Sequence, residues 1–490
     1  MDKNSKIFNR SISDKRISST YNDNLLMERD FAKDLPDPTR FFKNKSGKPD
    51  FSDIKGKCAG GKCELKKKKD TKPRDETNEI SKMTFDNAHK LSINENLLND
   101  RNFGLSKDHQ VNNNMFTNNV NSLEKQIKGT HQSEITFANN TLSLKSLVYF
   151  QHYFPSFFYS GYSLLSCISM YYIGTFDETE KEITEALSLK SKNSAYNSLA
   201  NLNTILAKSD SVNVANCVFL NNRFDVKPKY KEFILRLGIF DKINVLNPME
   251  ACERINGFVA ANTKNMITQI VQPGMINPSI CMVLVNAIYF KSDWKISFDK
   301  KSTKDEPFYS VKGDSLCKMM NLEKDLLYYE SKEHQLLELE YQDNQFVFGM
   351  WLPKKTEKVV IIPSTKDLLS NINHLYKTRV NLKMPRFTKE MEYNIVPFFN
   401  FLGIKICFSD SAQTYGISEN YPLPISAIIH KAKIEVNEKG AEAAAATMVK
   451  ECMMIGYDAD PKNFYANRPF VYYVRHIETN SILFMGKYDL

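Results

Sequence analysis

The stretch "EVNEKGAEAAAATMVKECMMIG", residues 435–456, lies near the end of a 490-residue chain and joins three textures. The strand-like "KIEV" leads into it, Gly440 interrupts, small residues fill 441–447, and a soft, oxidisable Cys-Met-Met run follows. Alanine is the best helix former, so 441–450 could be an exposed helix. The glycine and the strand before it support a different reading. Alternate side chains of a strand face one side, and one such set here is Ala441, Ala443, Ala445 and Thr447, all small and uncharged. A segment of this kind can slide between other strands without a steric or desolvation barrier. It is able to be a loop or a strand.

Working outward, hydrophobic residues make up 42% and charged residues 25% of the chain, values that suit a soluble globular protein. The length allows two or three ordinary domains, or one large domain with an appendage. The formal net charge of +9 is mild for this length and does not call for nucleic acid. "MDKNSKIFNRSISDKR" has no apolar core of the kind a secretory signal needs, and no apolar run is long enough for a membrane span. Nine scattered cysteines, an odd count, read as reduced thiols of a cytoplasmic protein, or of one exported by a route without a recognisable signal peptide.

Residues 1–134 differ from the rest. Tracts such as "KCELKKKKDTKPRDE" and "HQVNNNMFTNNVN" are polar and aperiodic. They cannot bury enough surface to offset the entropy of ordering, so this extension is expected to be largely disordered. "CAGGKC" carries Cys58 and Cys63 at a spacing that could be half a zinc site, but no second pair matches it, and no metal is expected. Lys66–Lys69 read as a solvated charge run.

From about residue 135 the pattern is that of one ordered domain, 135–490. "YSLLSCISMYYIG" has helical apolar spacing, residues 177–182 give an acidic start to a further helix, and "PMEACERINGFVAANTKNMITQI" reads as another, with Pro248 near its start. "CMVLVNAIYF" is apolar nearly throughout, as a centrally buried strand would be. "LLELEYQ" and "NQFVFGMWLP" flank a "DN" turn, "AIIHKAKIEV" is a further strand, and "FVYYVRHI" and "SILFMGKY" are separated by the turn "ETNS". Helices come first, strands dominate later and no βαβ rhythm occurs, so the fold class is α+β on antiparallel or mixed sheets. No GxSxG elbow, HExxH helix or phosphate-cradling glycine loop is present, and no catalytic residue or cofactor is expected. His430, alone in an apolar strand, reads as a hydrogen-bonded core residue.

Several stretches resemble the serpin family of protease-trapping inhibitors: "YSGYSLLSCISMYYIG", "NAIYFKSDWKISFD", "HKAKIEVNEKGAEAAAAT" and "NRPFVYYVRHIETNSILFMGK", in family order over some 350 residues. "INGFVAANTKNMI" and "MPRFTKEMEYNI" add weaker support. The resemblance implies three β-sheets, about eight or nine helices and an exposed reactive centre loop at about 438–463. A target protease forms an acyl-enzyme on that loop with its own nucleophile. The cut loop then inserts as a new strand of the main sheet and carries the protease with it. A strand of about 14 residues spans roughly 45 Å.

Carried over by position, Glu438, Lys439, Gly440, Ala441, Glu442, Ala443, Ala444, Ala445, Ala446 and Thr447 match the hinge of that loop. The scissile bond falls between Met454 and Ile455, with Met453 and Tyr457 as neighbouring candidates. A methionine there implies an elastase-like or chymotrypsin-like partner, while Lys450 lies too close to the hinge. Ser160, Ser163, Asn286 and His430 match a polar cluster beneath the opening sheet. Trp294 matches a tryptophan under the point where the loop would enter, and Arg386 a basic residue pairing with Glu438. Gly161, Ser292 and Phe258 depart from the usual Pro, Gly and Trp. No nucleic-acid or membrane partner is expected, and the chain is expected to be a monomer. The resemblance also leaves two other readings open: a non-inhibitory binding, chaperone or storage protein of the same fold, and an inhibitor of a cysteine protease.

Overall fold

The structure is a computed structural model, and it describes residues 133–355, 360, 362, 364–420, 422–440 and 460–490. The expectations for the N-terminal extension, for Ala441 through Thr447 and for the Met454–Ile455 bond fall outside the described residues.

The domain begins with helix α1 (Glu134–Gln151), whose N-cap Ser133 accepts a hydrogen bond from the Thr136 N–H. Thirteen of its residues are buried, Asn139, Asn140, Ser143 and Ser146 among them, and the less buried face is the row Glu134, Phe137, Thr141, Lys145 and Val148; polar and apolar residues are mixed on both faces, so the sequence shows no amphipathic stripe. Strand β1 (Phe157–Tyr159) leads to α2 (Gly161–Tyr172), which is buried over its whole length and capped by Ser160. A Cβ on Gly161 would lie 2.0 Å from Ser143 Oγ of α1. The departure from proline at this position therefore goes with a close approach of the two helices. Helices α3 (Asp177–Leu187) and α4 (Lys192–Leu206) follow. The first opens on Asp177, Glu178 and Glu180, where carboxylates oppose the helix dipole as expected.

The sheet that matters most has five strands in the order β10 (Phe387–Asn394), β11 (Ile425–Val436), β4 (Met282–Phe290), β2 (Val212–Asn221) and β3 (Ile239–Ile243). Strand β4 is buried at every position. Met282, Leu284, Ile288 and Phe290 face the main core with α2, and Val283, Val285 and Ala287 face a second core with the helix described next. This two-sided burial explains the continuous apolar run. A short α5 (Pro228–Ile234) and α6 (Pro248–Asn262) lie between β2 and β4 in the chain. The sequence pattern carried α6 on through 270. It stops at Asn262 because Lys264 and Asn265 take positive φ, 51° and 60°, and the following segment packs as an irregular return beneath α6.

The second sheet has nine strands: β1, β14 (Ile482–Tyr488), β13 (Phe470–His476), β8 (Phe346–Pro353), β7 (His334–Glu340), β6 (Gly313–Glu330), β9 (Tyr376–Pro385) and β12 (Lys462–Tyr465), with β5 (Lys304–Ser310) also paired to β6. Two of the three expected sheets are thus one hydrogen-bonded network. The 18-residue β6 joins them: residues 313–319 pair with β5, 319–328 with β9 and 327–330 with β7. The two turns read from "DN" and "ETNS" are present, with Asn344 and Asn480 at φ 53° and 57°. Helices α7 (Thr365–Asn373) and α8 (Val396–Phe401) complete the eight helices among the described residues. Phe258, in place of the usual tryptophan, packs edge-on against Phe219 at 5.7 Å.

Candidate functional site

In the five-stranded sheet β11 and β4 pair in parallel, in register from Ala427 with Val283 to Lys433 with Tyr289, after a one-residue irregularity that separates Ile425, opposite Met282, from Ala427. Both have antiparallel partners on their other sides, β10 and β2. The parallel seam lies at the centre of the sheet, and the chain leaves it at the top of β11 through Asn437, Glu438, Lys439 and Gly440.

One register row crosses this seam: Tyr393, His430, Asn286 and Asn216 are successive cross-strand partners. His430 is fully buried and its Nε2 accepts a hydrogen bond from the Ser160 N–H at 3.1 Å. The ring proton therefore sits on Nδ1, which donates to Asn286 Oδ1 at 2.8 Å. Asn286 Nδ2 donates in turn to Asn216 Oδ1, whose own amide reaches Leu237 O at 3.4 Å. Ser160 Oγ donates to Leu483 O of the other sheet at 2.5 Å. Burial lowers the His430 pKa from 6.5 to about 3, so the imidazole is neutral.

Ser160, Asn286 and His430 are brought together as expected. Ser163 is beside them but joins only through its backbone, whose N–H donates to Ser160 Oγ at 3.1 Å. The Ser163 hydroxyl is buried with no hydrogen-bond partner among the described residues. The reason is geometric: Ser163 is in the first turn of α2, and Ser160, as its cap, takes the polar contacts instead. Sequence reasoning missed Asn216. Its role depends on standing opposite Asn286 across two strands, which no local pattern reveals.

At the top of the seam Trp294 Nε1 donates to Asn437 O at 2.8 Å, and the Trp294 and Phe298 N–H groups donate to the carbonyls of Lys439 and Glu438, both at 2.8 Å. The indole stacks on Tyr341 at 4.6 Å. Gly440 has φ +109°, and a Cβ there would lie 2.5 Å from both Ser292 O and Trp294 N, so only glycine fits. Glu438 and Arg386 are unequally placed. The Glu438 side chain is 4% exposed, it accepts from Thr303 Oγ1 at 2.9 Å, and Arg386 Nη1 lies 3.6 Å away from the solvent side. Thr303 was not foreseen, being 135 residues distant in sequence.

No group of three His, Cys, Asp or Glu among the described residues could hold a metal ion, and no described helix is long and apolar enough to cross a membrane.

Comparison with known proteins gives a consistent result. The Serpin (serine protease inhibitor) family profile matches residues 137–489. The chain is 30% identical over 357 residues to a leukocyte elastase inhibitor of Xenopus laevis, covering 68% of this chain and 92% of that one. It is 29% identical over 349 residues to Serpin B8 of Homo sapiens, with the same coverage. Among solved structures it superposes on native protease nexin-1 with a TM-score of 0.65 and 25% identity, and on human thyroxine-binding globulin with 0.66 and 24%, covering 73% and 72% of this chain and 98% of each of those. The parallel seam, its buried polar row and the glycine hinge thus stand in a chain that belongs to the serpin family of protease inhibitors.

Proposed function

We propose that the protein is a suicide-substrate inhibitor of a serine protease that traps the acyl-enzyme by inserting its cut loop between β4 and β11. The observation that carries this reading is the parallel β4–β11 pair with the chain leaving its top edge at a glycine hinge. A segment folding back from β11 would run antiparallel to both neighbours. One parallel pairing would be exchanged for two antiparallel ones, the somewhat more stable kind. If 14 residues, 441–454, enter, each new ladder hydrogen bond contributes on the order of 1 kcal/mol net. The small side chains of 441–447 meet no steric barrier there. The protease supplies the nucleophile and the inhibitor supplies the strand, so no catalytic residue is required of this chain.

We place the cut at Met454–Ile455, which suits an apolar-pocket protease. The free cysteines Cys167, Cys217, Cys252, Cys281, Cys317 and Cys407, five of them buried, agree with a reducing compartment. Relatives named as elastase inhibitors support the protease target. A non-inhibitory binding role has one observation in its favour: the same fold occurs in a thyroxine-binding globulin crystallised with its ligand. Mixing the protein with a panel of serine and cysteine proteases decides between them. An SDS-stable complex and a released C-terminal peptide starting at Ile455 are expected. Clean turnover of the loop as an ordinary substrate, with no stable complex, would refute inhibition.

A further inference from the structure

The buried row at the seam continues past Asn216. The Asn216 side-chain amide reaches the Leu237 carbonyl at 3.4 Å, and the amide of Asn203 reaches the same oxygen at 3.5 Å. Both bonds are long, and among the described residues no backbone N–H reaches that carbonyl. Leu237 lies in the turn between α5 and β3 and is buried. The turn comes this close to β2 because the next residue is Gly238. A Cβ there would lie 2.6 Å from Asn216 O and 2.8 Å from Asn216 Cβ.

Asn203 is in the last turn of α4, and its Oδ1 accepts from Tyr162 Oη at 2.6 Å. Tyr162 stands in the first turn of α2, two residues after Ser160, whose N–H donates to His430 Nε2 at the other end of the row. The hydrogen bonds thus form a ring that leaves the first turn of α2 at Ser160 and returns to it at Tyr162.

Every direction in this ring is fixed. A carbonyl only accepts, so both amides turn their Nδ2 toward Leu237. Asn216 Oδ1 is then left for Asn286 Nδ2, and Asn286 Oδ1 for the Nδ1–H of His430. The Ser160 end demands the same tautomer independently. No side chain in the ring is more than 8% exposed, so a lost partner is not simply replaced by solvent.

We propose that Tyr162 and Asn203 are positioning residues of the seam. Through Leu237 they hold the amides that fasten His430 to Asn286 across β11 and β4, so that α4, a helix outside the sheet, sets how readily the seam opens. The consequence for loop entry rests on the inhibitory reading above; the ring itself does not.

The test compares Tyr162→Phe with Tyr171→Phe. Both delete one buried hydroxyl from α2, but Tyr171 Oη donates to Leu423 O at 3.0 Å, outside the ring. In protein carrying 15N-labelled histidine at neutral pH, the His430 Nδ1–H proton should exchange with solvent about fivefold faster in Tyr162→Phe, the effect of one hydrogen bond, and at the wild-type rate in Tyr171→Phe. A peptide copying residues 441–447 should anneal to the intact protein, read as a rise in melting temperature, about fivefold faster in Tyr162→Phe alone. Should Tyr162→Phe not fold, Gly238→Ala, which lifts the turn from Asn216, should show the same two changes. Equal exchange in the two tyrosine variants would overturn the ring. Faster exchange with unchanged annealing would overturn its hold on the seam. A peptide that anneals to no variant, together with a cleaved chain that melts no higher than the intact one, would sink the inhibitory reading, and the exchange rates would still decide on the ring.

Discussion

Replacing His430 by alanine should destabilise the protein by an amount that depends on pH in a specified direction. At neutral pH the substitution strips the Ser160 N–H of its acceptor and Asn286 Oδ1 of its donor, in a site with no exposure. Each orphaned buried group costs about 1–3 kcal/mol, and the emptied imbalance of volume adds to that, giving about 4–6 kcal/mol in total. The folded imidazole has a pKa of about 3 against 6.5 for the free side chain. Between those values the unfolded chain binds a proton that the folded chain refuses. The wild type therefore loses stability as pH falls below about 6.5, and at pH 4.5 that loss is about 3 kcal/mol. The variant has no such group, so its deficit should shrink to about 1–3 kcal/mol at pH 4.5. His334 and His476, also lowered by burial, are present in both proteins and cancel. Urea denaturation of the two proteins at pH 7.5 and 4.5 measures the difference. A deficit that stays constant between those pH values would show that His430 is not a neutral buried group, and the hydrogen-bonded row across the seam would be wrong with it.

Three further outcomes are expected. Gly440→Val should cost several kcal/mol in stability, because it imposes an unfavourable φ on a branched residue and a clash with Ser292 and Trp294 backbone; unchanged melting would refute the hinge geometry. Arg386→Ala should change stability by only about 0–1 kcal/mol, since its guanidinium is half exposed, whereas Glu438→Ala should cost more because the buried carboxylate also holds Thr303; equal effects in denaturation would contradict this asymmetry. Oxidising Met454 to the sulfoxide should slow inhibition of an apolar-pocket protease, and a uniformly oxidised sample that inhibits at the normal rate would exclude this methionine from the cleavage position.

Where one residue type has one physical use, the sequence is informative. The unbroken "CMVLVNAIYF" could only be a strand covered on both faces, and β4 is that strand. His430, isolated in an apolar strand, reads as a hydrogen-bonded core residue, and its ring is buried with a partner on each nitrogen. Gly440 marks a backbone that no other residue can adopt. Other features depend on partners distant in sequence. Asn216 matters because register sets it opposite Asn286, and Thr303 because its loop folds over Glu438. Helix α1 buries Asn139, Asn140, Ser143 and Ser146 beside its apolar residues and leaves Phe137 exposed, and so lacks the stripe by which a helix is recognised. The end of α6 escaped notice because its stop is made by Lys264 and Asn265 in left-handed conformations, not by glycine or proline.

The account stands or falls on whether the severed loop joins the five-stranded sheet. Cleaving the purified protein within residues 453–457 and comparing its thermal unfolding with that of the intact chain tests this without reference to any target. A melting temperature raised by tens of degrees is expected, since a central strand would be gained with its full ladder. A cleaved protein that melts at or below the intact one would mean that the seam between β4 and β11 does not open.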